Sequence, residues 1–181
     1  IITGDQTYLN GAKLFDNTTF FDKLKVNVDD IATRHANQHI PQIIGAMETY
    51  EASVKAGTPE VKYYDIAENF WQMTVSRYAY SIGGVGTGEK FTQPYQQANN
   101  ISGTTNCETC AAYNMLKLTK MLNNYDPDDA EYMDYYERTL YNQILASQTP
   151  NVTDKKHNGT TYMLPIGPGS TRDYGGDYDS F

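Results

Sequence analysis

Apolar side chains recur three and four residues apart in five stretches of the chain, the spacing of one buried helix face. The first follows Thr3-Gly4-Asp5 and carries Tyr8, Leu9, Ala12 and Phe15; the second runs from Ile40 to Lys55. A third follows Ala56-Gly57-Thr58-Pro59, with Tyr63, Tyr64, Ile66, Ala67, Phe70 and Trp71 on one side, and Pro59 suits a helix's first turn. A fourth spans Thr109 to Leu122. The fifth follows Tyr125-Asp126-Pro127 with Tyr132, Tyr135, Tyr136, Leu140, Tyr141 and Ile144. Ala12-x-x-Phe15 superposes on Ala67-x-x-Phe70 at an offset of 55 residues, enough for two helices and two turns. The pattern predicts an all-α chain of helical hairpins, arranged as a solenoid or a closed α/α toroid.

Two regions break the helical period. Residues Ser81 to Gln97 carry Gly83, Gly84, Gly86 and Gly88 and end beyond Pro94, which predicts a loop long enough to be functional. From Thr149 onward Pro, Gly and Asp dominate, with one short strand expected at Thr160 to Leu164. The glycine loop is not a phosphate cradle, since no Gly-Lys-Ser/Thr follows it and no clear strand precedes it. Asn17, Asn100, Asn151 and Asn158 each open an Asn-x-Ser/Thr triplet, which in so Asn-rich a chain is chance.

Composition narrows the function. The 181 residues hold 22 acidic and 14 basic side chains, a formal net charge of −8, which argues against a nucleic-acid partner. No apolar run approaches the ~20 residues of a membrane span, and no secretory leader opens the chain. With only Cys107 and Cys110, a disulfide scaffold is excluded, and reduced thiols in a cytoplasmic setting are expected. Aromatic residues reach 13%, 16 of them Tyr, a residue that suits protein interfaces and sugar clefts but equally a core with satisfied hydroxyls. The chain opens Ile-Ile-Thr-Gly-Asp and closes Asp-Tyr-Asp-Ser-Phe, which reads as a piece of a longer protein.

The candidate chemistry lies in three places: Glu89 in Gly86-Thr87-Gly88-Glu89-Lys90-Phe91, Glu108 and Cys110 in Cys107-Glu108-Thr109-Cys110, and His35 and His39 ahead of a helix in Arg34-His35-Ala36-Asn37-Gln38-His39-Ile40-Pro41. Taken singly, each has an ordinary explanation. A loop glutamate is usually solvated, and Glu-x-Cys offers zinc only two of the three or four ligands it takes.

Taken together, these segments resemble a known family. Gly83-Gly84-Val85-Gly86-Thr87-Gly88-Glu89, then Glu108-Thr109-Cys110, then Tyr113-Asn114-Met115-Leu116-Lys117-Leu118, then Tyr136 to Gln148 (YERTLYNQILASQ) look like the β-L-arabinofuranosidases of glycoside hydrolase family 127, once catalogued as domain of unknown function 1680. The resemblance implies an (α/α)6 barrel, of which residues 1–181 would supply about half, the remaining barrel and any β-sandwich domain lying elsewhere. It also implies a bacterial-type hydrolase of carbohydrate metabolism, a retaining glycosidase with a cysteine thiolate on zinc as nucleophile. On this mapping Glu89 matches the general acid/base. Glu108 and Cys110 match two zinc ligands, His35 a sugar-contacting histidine, and His39 a weaker partner in the same cleft.

The family's other two zinc ligands form a Cys-Cys pair, one of them the nucleophile, just after a segment like Asp179-Ser180-Phe181. No Cys-Cys occurs in this chain, so by itself it should be inactive and should hold zinc weakly or not at all. Two alternatives stand beside this reading: a non-catalytic helical repeat binding a glycan or protein, and a redox or zinc C-x-x-C domain. The family reading carries two geometric expectations. Glu89, Glu108, Cys110 and His35 should converge on one face, and an apolar edge should be exposed, through which the chain could self-associate.

Overall fold

The structure is a computed structural model that describes residues 4–148 and 160–172. Asn151, Asn158 and Asp179-Ser180-Phe181 lie outside the described residues. Six α-helices account for about half of the described residues: α1 (Gln6–Ala12), α2 (Thr18–Lys25), α3 (Ala36–Lys55), α4 (Val61–Arg77), α5 (Thr109–Asn123) and α6 (Ala130–Thr139). Side-chain caps start two of them, at Asp5, where the sequence places a helix start, and at Asp129, which it did not single out. Asp5 accepts from the Thr7 amide at 2.8 Å and Asp129 from the Glu131 amide at 2.9 Å, each satisfying an amide the helix leaves orphaned.

Several boundaries differ from the sequence reading. The helix expected from Ile40 begins at Ala36 and so takes in Pro41 at its sixth position, where a proline has no amide to donate to the Asn37 carbonyl one turn back. Pro59 stands outside α4, which starts at Val61 behind an N-cap at Glu60. Helix α2 was not anticipated: it is short, and its buried set is only Phe20, Phe21 and Leu24. Helix α6, the fifth stretch of the sequence pattern, stops at Thr139 and continues as one turn of π-helix, Leu140–Leu145. The 55-residue repeat is not structural, for Phe70 is fully buried in the core while Phe15, in a 3₁₀ turn after α1, is 88% exposed. Thr160 to Leu164 forms single bridges rather than a strand, with Thr160 paired to Gln148 and Met163 to Glu108.

The helices pack as neighbouring hairpins. Helix α3 lies against both α4 and α5, α5 against α6, α2 against α4, and α1 against α3. The core between them is built from Phe20, Ile40, Met47, Tyr63, Phe70, Trp71, Met115 and Tyr135, drawn from five helices. Trp71 is its centre: its indole N–H donates to Thr119 Oγ1 at 2.8 Å, and its ring meets Tyr132 and Tyr135 at centroid distances of 4.6 and 5.8 Å. Much of the tyrosine excess is thus spent inside, with hydroxyls on fixed partners such as Tyr63 on Asp16, Tyr78 on Asp29 and Tyr135 on the Gly83 carbonyl. Apolar side chains also stand exposed, notably Tyr8 and Leu14 at the N-terminal end and Tyr141 and Leu145 on the π turn.

Helices α3 and α5 are parallel neighbours: Asn114, in the second turn of α5, donates to Asn37, at the start of α3, at 2.8 Å. Both N-termini therefore open at one end of the bundle. The chain from Tyr78 to Glu108 returns to that end, and this places the candidate chemistry.

Candidate active site

Four extended segments cross the N-termini of α3 and α5, joined by single antiparallel rungs: His35 with Lys90, Thr87 with Lys90 and with Asn106, and Glu108 with Met163. Gly88 and Glu89 form the tip of a two-residue hairpin, with φ of 56° and 65°, the doubly positive combination of the type I′ turn. Glycine takes that conformation freely; at Glu89 it costs energy and holds the side chain out of the ladder. The turn is tied on both sides. Ala36 N–H donates to the Glu89 carbonyl at 2.8 Å, and Gly88 N–H to the Thr105 carbonyl at 3.0 Å. Beneath it, buried Asn106 donates to Thr87 Oγ1 at 3.0 Å, and Thr87 shares a 2.6 Å hydrogen bond with Tyr80.

The result is a cluster of acids. Glu89 Oε2 lies 3.4 Å from His35 Nε2. Tyr162 O–H donates to Glu108 Oε1 at 2.6 Å, and Glu89 Oε1 lies 3.2 Å from the Tyr162 hydroxyl oxygen. One phenol thus bridges two carboxylates from separate segments. Glu108 is the N-cap residue of α5 but makes no capping bond with its side chain; it is buried, and its Oε2 meets no hydrogen-bond partner. Burial raises its pKa, the charge of Glu89 raises it further, and the Tyr162 hydroxyl and His35 oppose them. Cys110, two residues on, is half-buried, and burial followed by the charges of Glu108 and Glu89 raises its thiol.

His35, Glu89 and Glu108 thus converge, with Cys110 beside them. His39 does not join them. Its Nδ1 faces the His35 carbonyl at 2.9 Å, its Nε2 faces Arg34 at 3.3 Å, and its ring stands edge-on to Phe20. Burial lowers the His39 pKa, its bond to the His35 carbonyl works the other way, and the charges of Arg34 and His35 lower it again. The unfolded chain therefore takes up this proton more readily than the folded one as pH falls through about 6.5, and that contribution to stability is lost on acidification. Between pH 7 and 5 the urea midpoint of His39→Gln should fall less than that of the parent chain. Equal slopes would mean His39 is not held neutral. Comparing slopes removes Glu108, whose raised pKa acts in the opposite sense in both proteins.

Cys107 is fully buried behind Gly84, and burial alone pushes its thiol up to about 12. Both cysteines are free thiols. A thiol so sheltered is a poor redox partner for Cys110, which disfavours the C-x-x-C reading. For zinc, Glu108 with its unpartnered oxygen and Cys110 are suitable donors, yet among the described residues no three His, Cys, Asp or Glu side chains come together as a metal ion requires. These residues alone do not fit a zinc ion, and no chemical step is derived through one.

Two members of the site were not found from the sequence. Tyr162 lies in the Pro- and Gly-rich tail, one tyrosine among 16, with no spacing to single it out. Gln143 stands inside the Tyr136–Gln148 block that carries the resemblance, but nothing there gave it a role.

Comparison with known proteins bears directly on this arrangement. The model of the β-L-arabinofuranosidase GH127 catalytic domain matches residues 1–181, the whole chain. The chain belongs to this family. Over 85 residues, 45% of its length, it is 34% identical to a non-reducing end β-L-arabinofuranosidase of Bifidobacterium longum subsp. longum. A solved GH127 β-arabinofuranosidase superposes on 82% of it with a TM-score of 0.58 at 28% identity. The GH127 chain spans 12% of the first relative's length and 24% of the second's. Its all-helical architecture is thus part of an (α/α)6 barrel. Among the described residues no helix is long and apolar enough to cross a membrane.

Proposed function

We propose that this chain is part of the catalytic domain of a retaining β-L-arabinofuranosidase, acting on a carbohydrate with a terminal L-arabinofuranosyl unit. The observation that carries the reading is the meeting of Glu89, His35, Glu108 and Tyr162 at one end of the bundle. The family match to the whole chain supports it.

In this reading Glu89 is the general acid/base. It is half-exposed on a turn that fixes its backbone, so its carboxyl reaches a ligand while its position is set. It gives a proton to the leaving oxygen and later takes one from the attacking water. His35 and Tyr162 orient the carboxyl from either side. Glu108 and Cys110 are two donors toward zinc, with the remaining cysteine ligands and the nucleophile, which this sequence does not contain, supplied from elsewhere. The isolated chain is accordingly inactive and self-associates through its exposed apolar side chains.

The test is hydrolysis of an aryl β-L-arabinofuranoside by the complete gene product, with the anomer of the first-formed arabinose read by proton NMR. Retention of configuration is expected. Inversion, or no hydrolysis by well-folded protein, overturns the reading.

A further inference from the structure

The π turn after α6 does something the proposed chemistry has not used. Gln143 lies within it, fully buried, and donates from Nε2 to the Cys107 carbonyl at 2.8 Å and to the Glu108 carbonyl at 3.2 Å. Its amide also presses on the glycine loop. A Cβ at Gly84 would overlap the Gln143 side chain and come within 2.7 Å of Cys107 Cβ. One turn earlier, a Cβ at Gly83 would collide with Thr139. Glycines at 83 and 84 let the two segments seat directly on α6 and the π turn.

Gln143 therefore touches the segments leading to both carboxylates: the loop that ends in Glu89 and the backbone of Glu108 itself. A π turn inserts one residue into the helical register, and such insertions occur frequently at functional sites. Here the turn places an amide in a position where it grips two successive carbonyls.

Three features indicate that this contact serves position rather than stability. The Gln143 Oε1 is buried with no hydrogen-bond partner, which is a cost to the fold. The Glu108 carbonyl also accepts from Ala112 N–H at 3.1 Å, and the Cys107 carbonyl from Leu164 N–H at 3.3 Å, so neither depends on Gln143 for satisfaction. Cys107 has φ of 55°, a conformation that a residue with a side chain rarely holds without support.

We infer that Gln143 is a positioning residue: by holding the Cys107–Glu108 backbone against the glycine loop, it sets the placement of the Glu108 carboxyl relative to Glu89. The inference rests on the proposed glycosidase reading for its effect on turnover, but not for its effect on structure.

The test compares Gln143→Met with the parent in the complete gene product. Methionine keeps the length of the side chain, removes the two donors, and removes the unpartnered oxygen. The urea midpoint should be unchanged or higher. Hydrogen exchange should rise at the Thr109 and Ala112 amides and stay unchanged in the middle of α3 and α4. Turnover of an aryl β-L-arabinofuranoside should fall about 10- to 100-fold in kcat, with KM nearly constant, because a small misplacement of reacting groups costs rate rather than binding. Unaltered kcat with unaltered exchange overturns the inference, and so does a kcat loss that only tracks a lower midpoint. If the parent itself hydrolyses nothing, the proposed function falls, and the exchange pattern decides the positioning role alone.

Discussion

Glu89→Gln in the complete gene product is expected to lower kcat on an aryl β-L-arabinofuranoside by about 10²- to 10⁴-fold, the range for removing a general acid/base. The amide is nearly isosteric with the carboxylate. It still reaches the Tyr162 oxygen and still sits beside His35, so the turn and its supports remain. What is lost is a group that can give and take a proton. The deficit should depend on the leaving group, because a strongly acidic phenol departs with little protonation. The loss should be greatest with an alkyl arabinoside and smaller with a dinitrophenyl one. A variant with parental kcat on both would remove Glu89 from the proposed role. A loss identical for every leaving group would assign Glu89 to substrate positioning instead.

The second large effect concerns the fold. Trp71→Ala should destabilise the chain by roughly 3–5 kcal/mol, the usual range for a fully buried tryptophan. Domains of ordinary stability have only about 5–15 kcal/mol in all. Trp71 has no exposed surface, meets Tyr132 and Tyr135 of α6, and bonds Thr119 of α5. Truncation thus removes a contact shared by three helices and opens a cavity that none of them can fill without moving the others. Urea denaturation followed by far-UV circular dichroism would measure it. A loss below about 1 kcal/mol would show that α4, α5 and α6 are not joined through this ring. Trp71→Phe should recover part of the loss, since it restores most of the volume but leaves the Thr119 hydroxyl without its indole donor.

Legibility in the sequence followed the length of the periodic signal. The faces of α3, α4 and α5 repeat over four or more turns, and all three helices appear close to where the pattern places them. Helix α2 spans eight residues, about two turns, too few for a period to stand out from neighbouring polar residues. The apparent likeness of Phe15 to Phe70 failed for a related reason: a two-residue match says nothing of what lies opposite, and only Phe70 has a core to enter. The π turn was invisible because periodicity assumes a constant 3.6 residues per turn, and Gln143 owes its place to a local departure from it.

The residues themselves determined the helical class, the glycine loop, the candidates Glu89, Glu108, Cys110 and His35, and the family resemblance. These follow from local chemistry: helix period, the positive φ that glycine permits, and residue types written in short order along the chain. Tertiary structure alone decided which candidates meet. It drew His35, Glu89 and Glu108 together from segments spread over more than 70 residues of chain, and turned His39 toward Arg34 and Phe20. It also brought in Tyr162, which no motif marked, and gave Gln143, one position of the Tyr136–Gln148 block, its contacts with the Cys107 and Glu108 carbonyls. The reason is that the parallel packing of α3 on α5 fixes where their N-termini lie, and that packing depends on a core shared among several helices at once.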